Sequence, residues 1–276
     1  MKHIGKSYDK VDAKGILSGK PSYTGDFVPK DALIIKVLRS PHAQARIKSI
    51  DTSKAKLIPG VEAIFTYEDV PNTRFTLAGQ TYPEPSAYDA LILDPVVRYV
   101  GDEVALIVAK DEATALKAMP LIKVEYDVQK PVLDLRTAMD HETVVHPEDD
   151  ILNHIPVGQD YKRNICVSYH KRVGDIEGEL AKCDYVVEGT YFDQATRQSA
   201  MEPFQSFGYI DHLGRIVIIS STQIVFHVRR HIARALGIPA SKIRVIKPRI
   251  GGGFGSKQTA CTELMTAFVT WKLQMP

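Results

Sequence analysis

A strand–helix–strand unit over Tyr99–Tyr126 is the part of the sequence that most restricts the fold. Its first predicted strand, Glu103–Ala109, holds the longest uninterrupted run of apolar residues in the chain, and a short branched run of this kind is typical of a strand buried on both faces. An alanine-rich helix is predicted over Ala113–Met119, and Pro120 ends it. The alternating segment Leu121–Tyr126 predicts a second strand, so the chain must combine helices with sheet.

The size and composition of the chain are those of a globular protein. The chain has 276 residues, which predicts two domains at roughly 150 residues each. A hydrophobic fraction of 44% and a charged fraction of 25% exclude a disordered tail, a collagen or a coiled coil as the whole fold. The net charge of +2 gives no overall attraction for a polyanion, and the longest apolar run is far shorter than the roughly 18 residues that cross a membrane.

The cysteines and the N-terminal residues both favour a reducing, cytoplasmic setting. Cys166, Cys183 and Cys261 are the three cysteines, and none of them forms a C-x-x-C pair that would predict a zinc ribbon or an iron–sulfur cluster. The first 15 residues contain no apolar stretch, so they do not form a secretory signal.

Further elements are predicted on either side of a polar, proline-containing connector. In the first half, strands are predicted at Ala32–Leu38, Ala45–Ile50 and Val61–Phe65. In the second half, the predicted elements are strands at Tyr185–Tyr191, Arg215–Ser220 and Lys242–Ile246 and helices over Ile224–Leu236 and from Thr262 to Trp271.

The segment Ile250–Gln258 is the strongest local motif, because four glycines lie between a predicted strand and a predicted helix. Glycine allows backbone N–H groups to approach an anion or a bulky cofactor closely. A P-loop is excluded because Ser256 precedes Lys257, and a Rossmann motif is excluded because its last glycine would fall on Ser256 or Gln258. The residues themselves leave two interpretations open, a cofactor-binding loop and a tight strand-to-helix turn.

Two other patterns are candidates for ligand binding. Between His227 and Arg249 the sequence is rich in Arg and Lys and has no acid, which favours either a site for a phosphorylated cofactor or nucleic acid, or a solvated helix face. The segment His141–His146 is one residue longer than the zinc motif H-E-x-x-H, so its histidines do not share a helical face and we expect a loop without metal. Taken singly, Glu202 and Gln223 are ordinary loop residues.

Ordered sequence blocks give the chain a resemblance to a known family. They are Pro21–Asp26, Arg39–Ala43 with Arg46-Ile47, Val97–Ala105 running on to Val124–Tyr126, Gly174-Asp175, Val186–Tyr191, Met201–Pro203, Ser221–Gln223 and Gly251–Lys257. In this order and spacing, the chain resembles the molybdenum-containing large subunit of the xanthine dehydrogenase and aldehyde oxidase family.

This resemblance implies an α+β fold with a defined domain order. An N-terminal arm at residues 1–16 is followed by an α/β hammerhead domain at 17–130 and a connector at 131–165. Residues 166–276 then form the incomplete first part of a molybdopterin-binding α+β domain.

The resemblance also implies an activity and its cofactors. A molybdenum–pyranopterin cofactor hydroxylates a carbon of a heterocycle or an aldehyde with oxygen from water, and electrons leave through iron–sulfur clusters and FAD on partner subunits or domains. We expect a purine-like substrate of the xanthine or hypoxanthine type. The alternatives are an aldehyde-oxidising member of the family and a non-catalytic docking or nucleotide-binding module. No membrane partner is expected, and nucleic acid is not favoured.

Five residues are carried over from the family by position. Gln223 would hydrogen-bond an oxygen ligand of molybdenum, Gly253 and Gly255 would bring backbone to the cofactor, and Phe254 would pack on the substrate ring as well as against the cofactor. Gln258 replaces a glutamate that binds the purine, and glutamine can both donate and accept hydrogen bonds.

The resemblance implies no direct metal ligand and no catalytic residue in this chain, because the general-base glutamate is expected beyond Pro276. We therefore expect the chain alone not to turn over. We also expect self-association or partial disorder after about residue 165, where apolar surface would remain uncovered.

Overall fold

The described residues form three three-stranded sheets. The computed structural model describes residues 3–20, 22–78 and 81–276, so Met1, Lys2 and Pro21 of the predicted arm and family blocks lie outside the described residues. The strands are β1 (Ile34–Arg39), β2 (Ala45–Asp51), β3 (Val61–Phe65), β4 (Val96–Val97), β5 (Glu103–Ala109), β6 (Lys123–Val128), β7 (Ser206–Ile210), β8 (Ile216–Ser220) and β9 (Ile243–Ile246). The α-helices are α1 (Ala13–Leu17), α2 (Ser53–Lys56), α3 (Glu112–Ala118), α4 (Ile176–Leu180), α5 (Val225–Leu236) and α6 (Thr262–Leu273).

The first two sheets belong to the N-terminal part. One sheet has the order β1-β5-β3 and the other the order β4-β2-β6, with all pairs antiparallel. The central strand β5 is fully buried from Val104 to Ala109, as its apolar sequence predicts. Asp111 caps α3 because its side chain accepts a 2.7 Å hydrogen bond from the Thr114 N–H.

The third sheet positions the glycine-rich segment. Strands β7 and β8 are antiparallel, whereas β8 and β9 are parallel, and a parallel pair needs a crossover, which α5 supplies. Helix α6 packs against β7, β8 and α5. The chain therefore enters the glycine turn from the end of a buried sheet and leaves it into a buried helix.

One hydrophobic core joins the N-terminal and C-terminal parts. Leu106 and Val108 of β5 belong to the same buried cluster as Ile218 of β8. In the same cluster, the rings of Phe65 and Phe268 meet edge to face with centroids 5.1 Å apart. Apolar side-chain packing therefore connects the two parts in addition to the covalent chain.

The predicted strand at Tyr185–Tyr191 is wrong. The structure assigns no strand there, and the side chains of Tyr185, Val187 and Tyr191 are about nine-tenths exposed. Alternating residues form a strand only when a neighbouring strand supplies hydrogen bonds, and no described segment does so here. The strand of this region is instead β7, which the sequence pattern did not reveal. Among the described residues, no helix is long and apolar enough to cross a membrane.

Candidate functional site

The glycine turn is held in a conformation that ordinary side chains disfavour. Gly252 and Gly255 have φ angles of +100° and +85°, and Phe254 between them has +49°. The first two values are readily adopted by glycine because it has no Cβ. The carbonyl of Gly253 accepts hydrogen bonds from the Ser256 N–H at 2.9 Å and the Ser256 hydroxyl at 2.7 Å, which closes the turn.

Gln223 lies directly against Gly253. The Gln223 N–H donates to the Lys257 carbonyl at 2.9 Å, so the β8–α5 loop is joined to the glycine turn. A Cβ on Gly253 would lie 2.6 Å from Gln223 Oε1 and 2.8 Å from Cδ, so only glycine leaves room for the amide. Gln223 Oε1 is buried and has no hydrogen-bond partner in the described part of the chain. The amide is therefore positioned to bind a polar group that approaches the turn.

The other three predicted residues occupy the same turn and the short helix after it. Phe254 is 73% exposed, and nothing lies within 4 Å of a Cβ built on Gly255, so both face open space. Gln258 ends a single 3-10 turn, where its N–H donates to the Gly255 carbonyl at 3.2 Å. The structure thus brings Gln223 into contact with Gly253 and arranges the remaining residues along one open loop.

Sequence reasoning missed the importance of Glu202. Its Oε2 accepts the Gly251 N–H at 2.6 Å and the Ser221 hydroxyl at 2.7 Å, and its Oε1 accepts the Gln205 amide at 2.9 Å. Burial raises the pKa of Glu202, but these hydrogen bonds together with Lys257 lower it by more, so its pKa lies below the ordinary value. Glu202 is therefore an ionised carboxylate that fixes the start of the glycine turn.

Lys257 completes this buried network from the other end of the turn. Its side chain is 1% exposed, and its ammonium donates to the Glu202 carbonyl at 2.8 Å and the Ser221 hydroxyl at 2.6 Å. The ammonium also lies 3.2 Å from Glu202 Oε2. Lys257 therefore supports the turn from inside and is not available to an external phosphate. The family block Met201–Pro203 was the one sequence signal for this arrangement.

Two arginines of the basic segment His227–Arg249 are held by contacts within the fold. Arg229 donates to the Ala240 carbonyl at 2.8 Å, and Arg234 donates to the Arg74 carbonyl at 3.0 Å. These two arginines of α5 therefore stabilise contacts within the fold.

The segment His141–His146, whose spacing does not match the zinc motif, is a loop. His141 accepts a 3.0 Å hydrogen bond from the Thr143 N–H, and His146 lies 3.5 Å from Glu148. Within the described ranges, neither histidine belongs to a group of three or more candidate metal ligands.

Comparison with known proteins now gives the family. The description "Aldehyde oxidase and xanthine dehydrogenase, a/b hammerhead domain" matches residues 18–130, and "Molybdopterin cofactor-binding domain" matches residues 157–276. The chain is 40% identical to the probable hypoxanthine oxidase XdhD of Escherichia coli K12, over 97% of the chain and 30% of that protein. It is 35% identical to the putative xanthine dehydrogenase molybdenum-binding subunit XdhA of the same organism, over 96% of the chain and 34% of that protein.

Solved structures show the same architecture. The aldehyde oxidoreductase of Desulfovibrio gigas superposes with a TM-score of 0.83 at 25% identity, over 98% of this chain and 29% of that chain. The quinoline 2-oxidoreductase of Pseudomonas putida 86 superposes with a TM-score of 0.80 at 28% identity, over 98% of this chain and 34% of that chain.

These findings define a molybdopterin-binding protein with an α/β hammerhead domain, which confirms the predicted α+β fold class. The chain belongs to the aldehyde oxidase and xanthine dehydrogenase family. It spans about 30% of the length of the first curated relatives that it matches.

Proposed function

We propose that this chain contributes one side of the molybdenum–pyranopterin site of a hydroxylase that acts on a purine-like heterocycle. The observation that carries the proposal is the buried Gln223 Oε1, which lies against Gly253 without a hydrogen-bond partner among the described residues, beside the open backbone at Gly255. A ligand with an N–H or O–H group at this turn would satisfy Oε1, and the amide N–H groups of Gln223 can donate to an oxygen of the family's cofactor.

Each residue of the turn has a distinct role in the proposed site. The Gln223 amide binds a polar oxygen of the cofactor and adds no charge. Gly253 and Gly255 let the cofactor approach the backbone, and the exposed Phe254 ring offers an apolar face to the cofactor and the substrate ring. When bound, the cofactor supplies a two-electron oxidation in which water is the oxygen source.

Gln258 is the residue that we assign to substrate choice. Its amide offers both a donor and an acceptor, which suits the edge of a purine such as hypoxanthine or xanthine. Two E. coli relatives carry the names probable hypoxanthine oxidase and xanthine dehydrogenase subunit, which supports this class. The alternative is an aldehyde, supported by the name of the indole-3-acetaldehyde oxidase of Zea mays, which is 29% identical over 100% of the chain and 19% of that protein.

We place the electron-transfer groups and the rest of the active site outside these residues. Relatives are named as a large molybdopterin subunit and a large chain, so we assign iron–sulfur clusters and FAD to partner subunits or further domains. Because Phe254 and Gly255 face open space, this chain alone encloses no substrate, and we expect no turnover from it.

The test uses the full protein with purine and aldehyde substrates. Gln223→Leu should lower kcat/KM for every substrate at least about tenfold, because one hydrogen bond to the cofactor is lost. Gln258→Leu should lower kcat/KM for hypoxanthine at least about tenfold, because the substrate loses its hydrogen bonds to the amide, and should change aldehyde oxidation much less. Gln129→Leu, at an exposed glutamine, is the control.

The two parts of this proposal fail separately. An unchanged Gln223→Leu enzyme with full molybdenum content would contradict the cofactor assignment. An equal loss of purine and aldehyde oxidation in Gln258→Leu would contradict the substrate assignment and leave the cofactor site standing.

A further inference from the structure

A second cluster of polar side chains lies where the segment around Glu84 meets α5. Glu84, His227 and His231 each offer one candidate ligand atom, and these atoms all lie within 4.8 Å of one another. The two histidines are four residues apart on α5, so they share one face of the helix. Glu84 comes from the N-terminal part, so the cluster bridges the two halves of the fold.

The distances within the cluster are close to those of a metal site. Glu84 Oε1 lies 3.6 Å from His227 Nδ1 and 3.8 Å from His231 Nε2. A tetrahedral ion with bonds of about 2.0–2.1 Å holds neighbouring ligand atoms roughly 3.3 Å apart. The two Glu84–histidine distances would have to shorten by only a few tenths of an ångström to reach this value, and the third pair of atoms lies within 4.8 Å.

Of the two buried members of the cluster, His231 lacks the partners that its burial demands. The side chains of Glu84 and His231 are 1% and 4% exposed. No described side chain hydrogen-bonds to either ring nitrogen of His231, and the Ala78 backbone is the one described polar group of its surroundings that acts on the ring as a hydrogen-bond partner, although a buried polar group is normally fully paired. Tyr88 donates to Glu84 Oε2 at 2.8 Å, an outer contact of the kind that orients a carboxylate ligand.

Arg230 is the cation that now neutralises Glu84. Its Nη2 lies 3.0 Å from Glu84 Oε1 and 2.7 Å from His227 Nδ1. An ion on these atoms would have to displace the guanidinium. Arg230 is 32% exposed and already lies over the Tyr82 ring, 4.7 Å from its centroid, so it has a route to solvent.

We propose that Glu84, His227 and His231 form a binding site for a divalent transition-metal ion of the zinc class, which links the N-terminal part to α5. Two imidazole nitrogens and one carboxylate oxygen are a common protein ligand set for Zn²⁺, with water as the fourth ligand. The site holds the two parts together and is separate from the residues assigned to the cofactor turn.

Cobalt is the probe, because Co²⁺ occupies zinc sites and its tetrahedral complexes absorb visible light. The full protein is used in a Cys166→Ser, Cys183→Ser background, which removes the two thiols that are exposed in the described residues. Difference spectra should show one equivalent of tetrahedral Co²⁺ that Zn²⁺ displaces, and the midpoint of thermal unfolding should rise with either metal.

Three variants decide the assignment. His227→Gln, at a partly buried position, should weaken Co²⁺ binding by at least about tenfold, and His212→Gln, at an exposed histidine, should leave it unchanged. Arg230→Ala should strengthen binding because the competing cation is removed. Absence of a tetrahedral spectrum, an unchanged affinity in His227→Gln, or weaker binding in Arg230→Ala would each overturn the proposal.

Discussion

The Lys257 ammonium and the Glu202 carboxylate form an ion pair that is almost completely removed from water. Their side chains are 1% and 9% exposed. Both charges also have neutral hydrogen-bond partners, among them the Ser221 hydroxyl. A buried pair of this kind gains little over an apolar replacement of both partners, but the loss of one partner leaves an uncompensated charge.

We therefore predict that Lys257→Met lowers the free energy of unfolding by about 3–5 kcal/mol. The Lys257→Met, Glu202→Gln double variant should lose less than the sum of the two single changes, because no lone charge remains. Urea denaturation measures both quantities, and Lys272→Met, at an exposed lysine of α6, is the control. A loss in Lys257→Met no larger than that in the control would show that the pair does not hold the turn.

The direction in which Lys257 points could not be predicted from the sequence. A lysine after a glycine-rich segment is equally compatible with a phosphate ligand and with a buried cation, and its carboxylate partner Glu202 is 55 residues away along the chain. Histidine spacing was more informative, because the separation of five positions from His141 to His146 excluded a shared helical face without any tertiary information.

At the scale of secondary-structure elements, the sequence predicted the helices and strands that are determined by the pattern of neighbouring residues. The ranges of β3 and β5 match the predicted ranges, and α5 begins and ends within one residue of its prediction. The failures concern pairing. The alternating segment Tyr185–Tyr191 forms no strand and Ser206–Ile210 does, because strand formation depends on a neighbour that lies far away in sequence.

A substitution at Gly253 tests the effect of an added side-chain atom separately from the effect of backbone strain. Gly253→Ala should displace the Gln223 amide, because the new Cβ would lie 2.6 Å from Oε1. We predict that the full protein with this change loses most of its bound molybdenum cofactor while its unfolding midpoint changes little. Metal analysis and thermal denaturation give the two quantities.

Gly237→Ala is the matched control for this prediction. Gly237 ends α5 with a φ of +65° and has nothing within 4 Å of a Cβ, so the substitution costs roughly 1–2 kcal/mol of backbone strain and does not touch Gln223. It should lower stability and retain the cofactor. Loss of the cofactor in Gly237→Ala together with its retention in Gly253→Ala would refute the role given to Gly253.

At the scale of the whole molecule, the shared core makes the two parts one cooperative unit. Phe268 is fully buried and packs edge to face on Phe65 across the boundary. Because each part covers apolar surface of the other, neither can open without exposing the common core.

We predict that Phe268→Ala lowers the free energy of unfolding by about 3–5 kcal/mol and affects both parts equally. The fluorescence of Trp271, the one tryptophan in the sequence, reports on the C-terminal part. Hydrogen exchange of the β5 amides reports on the N-terminal part. Phe226→Ala, at a 71% exposed phenylalanine, is the control. Separate unfolding transitions for the two probes would contradict the conclusion that the two parts unfold as one cooperative unit.

The exposed stretch at Tyr185–Tyr191 has a consequence for the integrity of the chain. From Asp184 to Ser199 the described backbone pairs with no other segment, and Arg197 is an exposed trypsin site within it. A protease that cut there would leave two fragments whose contacts, from Phe65 with Phe268 to Glu84 with Arg230, are all non-covalent and intact. We expect the nicked protein to migrate as two bands under denaturing conditions and as one particle under native conditions, and we expect two polypeptides divided at this point to assemble into the same fold.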